Sequence, residues 1–313
     1  MTDVMIPTYK PDEELLKTID ILKDQTCTPG KIILINTEER YLDELIKRTG
    51  YALDDKLIEI CNIKKSEFDH GGTRDRAAGL SDADIMIFMT QDAIPVDRFF
   101  IEKLISPLKD KRVAVSYARQ IPKEGCSVEE RYTRAFNYPD RSVIKGADDV
   151  EKLGIKAYFC SNVSCAYRRD VYDKLGGFVK KTIFNEDMIY AAAAVKAGYK
   201  IAYTAEAMVY HSHDYSAKEQ FRRNVDIGIS QAEHPEVFDG LSSEAEGKKL
   251  VLATIGELRH TNNRVRIPLY LVRIISRYCG YLVGRHYRSF PMGFIRRVSM
   301  NPGYFTEENQ CAE

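Results

Sequence analysis

Four short stretches carry side chains able to do chemistry. In FMTQDAIPVD, residues 88–97, an apolar run over 85–89 leads into Asp92 and then Pro95. A carboxylate at a strand end can hold Mg²⁺ or Mn²⁺ against a diphosphate, with phosphate and water supplying most other ligands. Alone, Asp92 is equally a turn acid or a cap for a helix starting near Asp97. In IFNEDMIYAAAAVKAGY, Glu186 and Asp187 open a helical run. Acids there complement the helix dipole, but adjacent carboxylates point different ways, so one can cap while the other serves as general base. In MVYHSHDYS, His211 and His213 lie two apart, hence on one side of an extended chain. A neutral imidazole from this pair could complete a cation site with Asp92, the other serving packing. In FDHGGTRDRAAGLSDAD, Gly71-Gly72 precede a helix bearing Arg74 and Arg76. This is a glycine turn with solvent-facing arginines, or a backbone close to a diphosphate that Arg74 neutralises.

The elements that must position these groups alternate between strand and helix. Apolar, β-branched runs at 4–6, 31–35, 57–60 and 85–89 read as strands, and 11–23, 41–48 and 73–80 as helices. That alternation predicts a mostly parallel sheet, whose ligands gather at the carboxyl ends of the strands. Thr8, Asn36 and Asp92 would then line one crevice. Further along, 113–117 reads as a strand, 171–175 and 188–197 as helices, and 200–203 and 207–210 as two short strands. Beyond Tyr215 the pattern is helical.

Composition narrows the classes. With 313 residues, 44% of them hydrophobic, the chain can build one large α/β domain and an appendage. Its 46 basic and 46 acidic residues balance, which gives no support for a nucleic-acid partner. Seven scattered cysteines without a CxxC pair suggest neither a disulfide framework nor a zinc site, and point to a reducing, cytoplasmic setting. No signal-peptide pattern and no uninterrupted run of about 18 apolar residues is present. Neither GxxxxGK[ST] nor GxGxxG occurs, so ATP hydrolysis and dinucleotide binding lose support.

Six segments, in order, resemble the family 2 inverting glycosyltransferases of GT-A fold, and within them bacterial rhamnosyltransferases. They are VMIPTYKP, FDHGGTRDRAA, TQDAIP, CSNVSCAYRRDVYDKLGGF, NEDMIYAAAAVKAGYKIAY and VYHSH, spanning roughly residues 3–215. The resemblance implies a nucleotide-sugar donor, dTDP-β-L-rhamnose before others. It implies nucleotide contacts from Pro7, Thr8 and Tyr9, with Arg74 and Gln91 also at the donor. Asp187 would be the base, with Glu186 the second choice, and Asp92 with His211 or His213 the Mn²⁺ or Mg²⁺ ligands. Thr90 stands where the family's DxD motif has its first acid. The fold implied is a mixed, mainly parallel sheet flanked by helices over 1–215, followed by a helical basic extension over 216–313.

That extension has no Asp or Glu from 258 to 306, but nine arginines. Arg266, Arg273, Arg277, Arg285 and Arg288 recur near helical periods against Leu269, Leu271, Val272, Ile275, Leu282 and Val283. The pattern fits a helix packed by its apolar side on the catalytic domain or a second copy. It equally fits peripheral contact with anionic lipid at the inner face of the cell membrane. A lipid-linked glycan acceptor would account for such a surface. The rival from another class is a non-catalytic scaffold binding a nucleotide-sugar or glycan; a metal-dependent phosphohydrolase would need more clustered ligands than these.

Overall fold

The computed structural model describes residues 1–53, 56–240 and 244–305, the side chains of 244–246 excepted. Strands β1 (Thr2–Tyr9), β2 (Ile32–Thr37), β3 (Ile58–Ile63) and β4 (Ile85–Met89) alternate with helices α1 (Glu13–Lys23), α2 (Glu39–Thr49) and α3 (His70–Gly79). Next come β5 (Ile94–Pro95), α4 (Phe100–Ile105), β6 (Val113–Ile121), α5 (Val128–Asn137), β7 (Val143–Lys145) and α6 (Val150–Leu153). Then follow β8 (Ser164–Arg168), α7 (Arg169–Lys174), α8 (Glu186–Lys196) and β9 (Lys200–Tyr210). Helices α9 (Ala217–Glu233), α10 (Pro235–Phe238), α11 (Glu244–His260), α12 (Ile267–Arg285) and α13 (Met292–Val298) complete the chain.

The sheet runs β3-β2-β1-β4-β8-β6-β9-β5, with β7 also on β9. β8 is antiparallel to both neighbours, so β1, β2, β3, β4, β6 and β9 all point one way. This is the mixed, mainly parallel sheet expected. Successive side chains take opposite faces: Val4, Ile6, Ile32 and Leu34 join one core, Met5, Ile33 and Ile35 the other. Covered on both sides, these strands are apolar throughout rather than alternating. Leu15, Leu16, Ile19 and Leu22 of α1 fill the first core, each contributing about 1.5–3 kcal/mol on full burial.

Two details of β1 open the crevice. Val4 donates to Lys31 O, so the odd-numbered residues that follow turn their backbone toward β4. The β1–β4 ladder stops at Met5, and Pro7, lacking an N–H, leaves no donor orphaned beyond it. Tyr9 is then clasped by a side chain: its N–H donates to Gln91 Oε1 at 2.8 Å and its carbonyl accepts from Gln91 Nε2 at 3.1 Å.

Three sequence expectations change. Helix α3 begins earlier than 73, because Asp69 accepts from Gly71 and Gly72 N–H at 2.9 and 2.7 Å and caps it. Those glycines are there for packing: a Cβ on Gly71 would sit 1.8 Å from Val179 O, and one on Gly72 2.8 Å from Lys180 O. The strands read at 200–203 and 207–210 are one strand, β9, whose register on β6 jumps from Ala118↔Thr204 to Arg119↔Met208. Residues 205–207 bulge, with Ser142 Oγ accepting from Ala205 N–H at 2.8 Å.

The third change concerns α12, which packs on α9 through glycines. A Cβ on Gly280 would lie 2.2 Å from Phe221 O, and one on Gly284 2.1 Å from Val225 O. This crossing turns the helix opposite to an inward apolar side. Leu271, Val272, Ile275 and Leu282 are exposed, Ile275 to 61%. Arg266 instead pairs with Glu129 at 2.9 Å and Arg285 with Asp239 at 2.8 Å. No helix among the described residues is long and apolar enough to cross a membrane. Asn185 and Ser230 join their side chains at 3.1 Å, tying α9 to the start of α8.

Gly71→Ala should lower the urea midpoint of unfolding by the equivalent of at least about 1–3 kcal/mol, the usual cost of overpacking. Gly79→Ala, where a Cβ meets nothing within 4 Å, should unfold at or above the wild-type midpoint.

Candidate active site

The carboxyl ends of β1, β2, β4, β6 and β9 lie along one edge, and the chain entering β8 arrives there too. Across β1, β2 and β3 the paired residues Thr8, Asn36 and Asn62 form a polar ladder. Thr8 Oγ1 donates to Asn36 Oδ1 at 3.1 Å, and Asn36 Nδ2 donates to Asn62 Oδ1 at 2.8 Å. Asn36 is fully buried and Thr8 nearly so. Pro7 and Tyr9 stay partly exposed. The Tyr9 ring meets Tyr41 edge-on at 5.6 Å, with Lys65 Nζ 5.4 Å from its centre.

On the β4 and β9 side, Asp92, His211 and His213 converge. Asp92 Oδ2 lies 3.5 Å from His211 Nε2 and 3.1 Å from His213 Nε2. The two Nε2 atoms are 3.0 Å apart. Gln120 decides which atoms face each other. Its amide nitrogen is spent on Tyr138 Oη at 2.7 Å and Ser161 Oγ at 3.0 Å. Its carbonyl therefore accepts from His211 Nδ1 at 2.9 Å, and from Arg134 as well. With the proton on Nδ1, the Nε2 lone pair points at the carboxylate.

Burial lowers the His211 pKa to about 4 against the pull of Asp92, so the imidazole is neutral near pH 7. Burial would raise the Asp92 carboxyl, but the two imidazoles set against it outweigh that and hold it well below the usual range. One carboxylate oxygen and two imidazole nitrogens, all within 4.8 Å of one another, form a cluster among the described residues that could hold a metal ion. The donor set fits: hard oxygen with borderline nitrogen suits Mn²⁺ or a similar divalent ion. The carbonyl behind His211 is the customary support for a ligating histidine.

The acid pair occupies the start of α8. Its cap, Asn185, has φ +63°, in the left-handed region that asparagine tolerates. Glu186 faces inward, its Oε1 3.1 Å from Arg74 Nη1 and 3.0 Å from Asn162 Nδ2. Both partners of the ion pair are buried, at 7% and 6% side-chain exposure. The sequence reading has Arg74 at a diphosphate; the structure instead gives its guanidinium to Glu186. Asp187 is partly exposed, accepting from Asn162 N–H at 3.0 Å and Met188 N–H at 2.8 Å. Burial, and then the neighbouring Glu186 charge, push its carboxyl up to about 7. Glu186 itself, which burial would raise, is lowered by Arg74 and His70. The two carboxyls are thus split, one ionised and one poised near neutrality.

Asn162 and Gln120 join the halves, since Asn162 touches both acids and its neighbour Ser161 bonds Gln120. Neither was expected from sequence; an amide in a strand or turn carries no signal until its partners are known. CSNVS carries the family resemblance only as a segment. His70 sits between Phe68 and Phe184, at 5.3 and 5.5 Å, and apart from the cation cluster. A cavity of about 330 Å³ near Asp20, Asp24 and Arg98 shares no residue with these groups.

Residues 3–176 match glycosyl transferase family 2. The chain belongs to that family. It is 39% identical to the O-antigen chain rhamnosyltransferase RfbN of Salmonella typhimurium strain LT2, over 96% of this chain and 95% of the relative. It is 36% identical to the O-antigen chain rhamnosyltransferase WbaN of Salmonella anatum, with the same two coverages, 96% and 95%. Its fold matches the mannosyltransferase PcManGT of Pyrobaculum calidifontis, solved with GDP-Man and Mn²⁺. The TM-score is 0.59 at 11% identity, over 92% of this chain and 87% of that one. This family 2 member is a glycosyltransferase of GT-A architecture.

Gln120→Leu should weaken Mn²⁺ binding about 10–100-fold, as loss of an outer support for a ligand does. Asp92→Ala should remove it, both read by calorimetric titration of the metal.

Proposed function

We propose that this glycosyltransferase moves L-rhamnose from dTDP-rhamnose onto a growing, lipid-linked cell-surface polysaccharide, with inversion at the anomeric carbon. Near-full-length similarity to two O-antigen chain rhamnosyltransferases supports the sugar and the acceptor class. The single observation that carries the chemistry is the split acid pair beside the Asp92, His211 and His213 cluster.

In this reading Tyr9, with Tyr41 and Lys65, receives the nucleoside, and Pro7, Thr8, Asn36 and Gln91 shape the floor beneath it. Asp92, His211 and His213 would hold Mn²⁺ or Mg²⁺, which when bound offsets the charge that develops on the leaving diphosphate. Asp187 takes the proton from the acceptor hydroxyl as its oxygen attacks, and a carboxyl near 7 is matched to that role. Arg74 and Glu186 position it: the pair keeps a buried negative charge beside Asp187 without leaving that charge uncompensated. The exposed apolar side of α12 is consistent with an acceptor carried by lipid.

Calorimetric titration with dTDP, UDP and GDP, each with and without Mn²⁺, tests the donor. Metal-dependent binding with dTDP preferred, and its loss in Asp92→Ala, is expected; a UDP or GDP preference would reassign the sugar nucleotide, and no nucleotide binding would favour a scaffold.

Asp187→Asn should keep dTDP binding and lose transfer by about 10²- to 10⁴-fold. Wild-type transfer should rise with pH as Asp187 loses its proton near 7. Glu186→Gln removes a charge that raises Asp187, so this limb should move to lower pH. A limb that stays in place would reject the pairing.

A further inference from the structure

Beyond the donor edge, α5, α9, α11 and α12 enclose a cavity of about 80 Å³ bordered by His213. That is several times the roughly 10–15 Å³ needed to admit one water molecule. Its wall includes Glu130, Tyr215, Gln220, Arg273 and Arg277.

The charges on this wall do not cancel. Glu129 takes Arg266 at 2.9 Å and Glu130 takes Arg134 at 2.6 Å, while Asp214, with no ion pair among the described residues, accepts from Ser127 N–H at 3.0 Å and from its hydroxyl, which leaves two wall arginines against one unpaired acid. Arg273 and Arg277 have no ion pair among the described residues, and the buried Nε of Arg273 has no hydrogen-bond partner. Spaced four apart on α12, the two guanidinium groups lie on one side of the helix, where like charges repel. A buried, unsatisfied donor adds to that cost. An anion with several oxygens relieves both, because each guanidinium presents a planar fork of donors to it.

We propose that Arg273 and Arg277 form a second anion subsite, separate from the donor's, that holds the diphosphate of the lipid-linked acceptor. The assignment to an acceptor rests on the function proposed above. None of the cavity wall comes from β1, α2 or the turn after β3, which carry Tyr9, Tyr41 and Lys65. The wall does include Leu250 and Ile274, and the outer side of the same helix carries Leu271, Val272 and Ile275. A diphosphate held by the arginines could therefore continue into an apolar chain along α12. His213 borders both the cavity and the cation cluster, so the anchored end of the acceptor lies against the reaction centre.

The test uses the full chain and three probes: farnesyl diphosphate and inorganic pyrophosphate with EDTA present, and dTDP with Mn²⁺. Calorimetry should show farnesyl diphosphate binding without metal, tighter than pyrophosphate. Its Kd should rise about tenfold or more in Arg273→Gln/Arg277→Gln, the loss of charge-assisted hydrogen bonds. The same variant should bind dTDP as wild type does, whereas Asp92→Ala should do the reverse. Arg277→Gln alone, at an exposed position, gives a partial loss and guards against a folding defect in the double variant; thermal melts followed by circular dichroism check both. Unchanged farnesyl diphosphate affinity in the double variant overturns the subsite. So does an equal loss of dTDP, which would place the arginines at the donor. Pyrophosphate binding as tightly as farnesyl diphosphate overturns the lipid-carried source. Failure of wild type to bind dTDP, with the arginine dependence intact, rejects the donor reading and keeps the subsite.

Discussion

Arg74 and Glu186 meet at 3.1 Å with almost no solvent on either side chain, and the active edge is organised around that contact. Removing one partner of such a pair typically costs about 3–5 kcal/mol, because the other charge stays buried. The contact joins the second turn of α3 to the first turn of α8, elements separated by more than half of the sheet in sequence. Asp69 strengthens the same junction by capping α3 and accepting from Thr182 N–H at 3.0 Å. Gly71 and Gly72 let the two segments come close enough for it. The ion pair is therefore both a clamp on the fold and the source of the field felt by Asp187.

A second support, the Gln120 amide, works by hydrogen-bond direction rather than by charge. Having given both N–H groups to Tyr138 and Ser161, it has only its carbonyl to offer His211. Proton location on that imidazole follows from the arithmetic of donors and acceptors. Asn162 plays the matching part for the acids, and the two amides bring the Asp92, His211 and His213 cluster and the acid pair into one connected network. Their order along the chain, 120 and 162, gives no hint of this proximity.

Much of the candidate site was legible in the sequence because its residues sit at ends of elements. Asp92 after an apolar strand, the acid pair opening an alanine-rich helix, and two histidines beyond a strand are all boundary signals. Roles that depend on partners across the sheet were not legible. Arg74 read as a diphosphate ligand because a glycine pair precedes it, whereas Val179 O and Lys180 O explain those glycines. The arginines of α12 read as one polar surface because helical periodicity is local. Which side faces inward is settled by Gly280 and Gly284 against Phe221 and Val225 of α9, 59 residues away in each case, a contact that composition cannot display.

The bulge in β9 makes chain length part of the candidate site. Beyond it, Arg119 to Ile121 of β6 pair with Met208 to Tyr210 of β9, and His211 N–H continues the ladder to Ile121 O at 2.9 Å. Strand side chains alternate in direction, so one residue gained or lost within 208–210 would carry both histidines to the opposite face with their identities unchanged. Residues 205–207, already out of register, form the segment best able to absorb such a change. The spacing between bulge and histidines thus acts as a ruler, and it constrains insertions and deletions as firmly as ligand chemistry constrains substitutions.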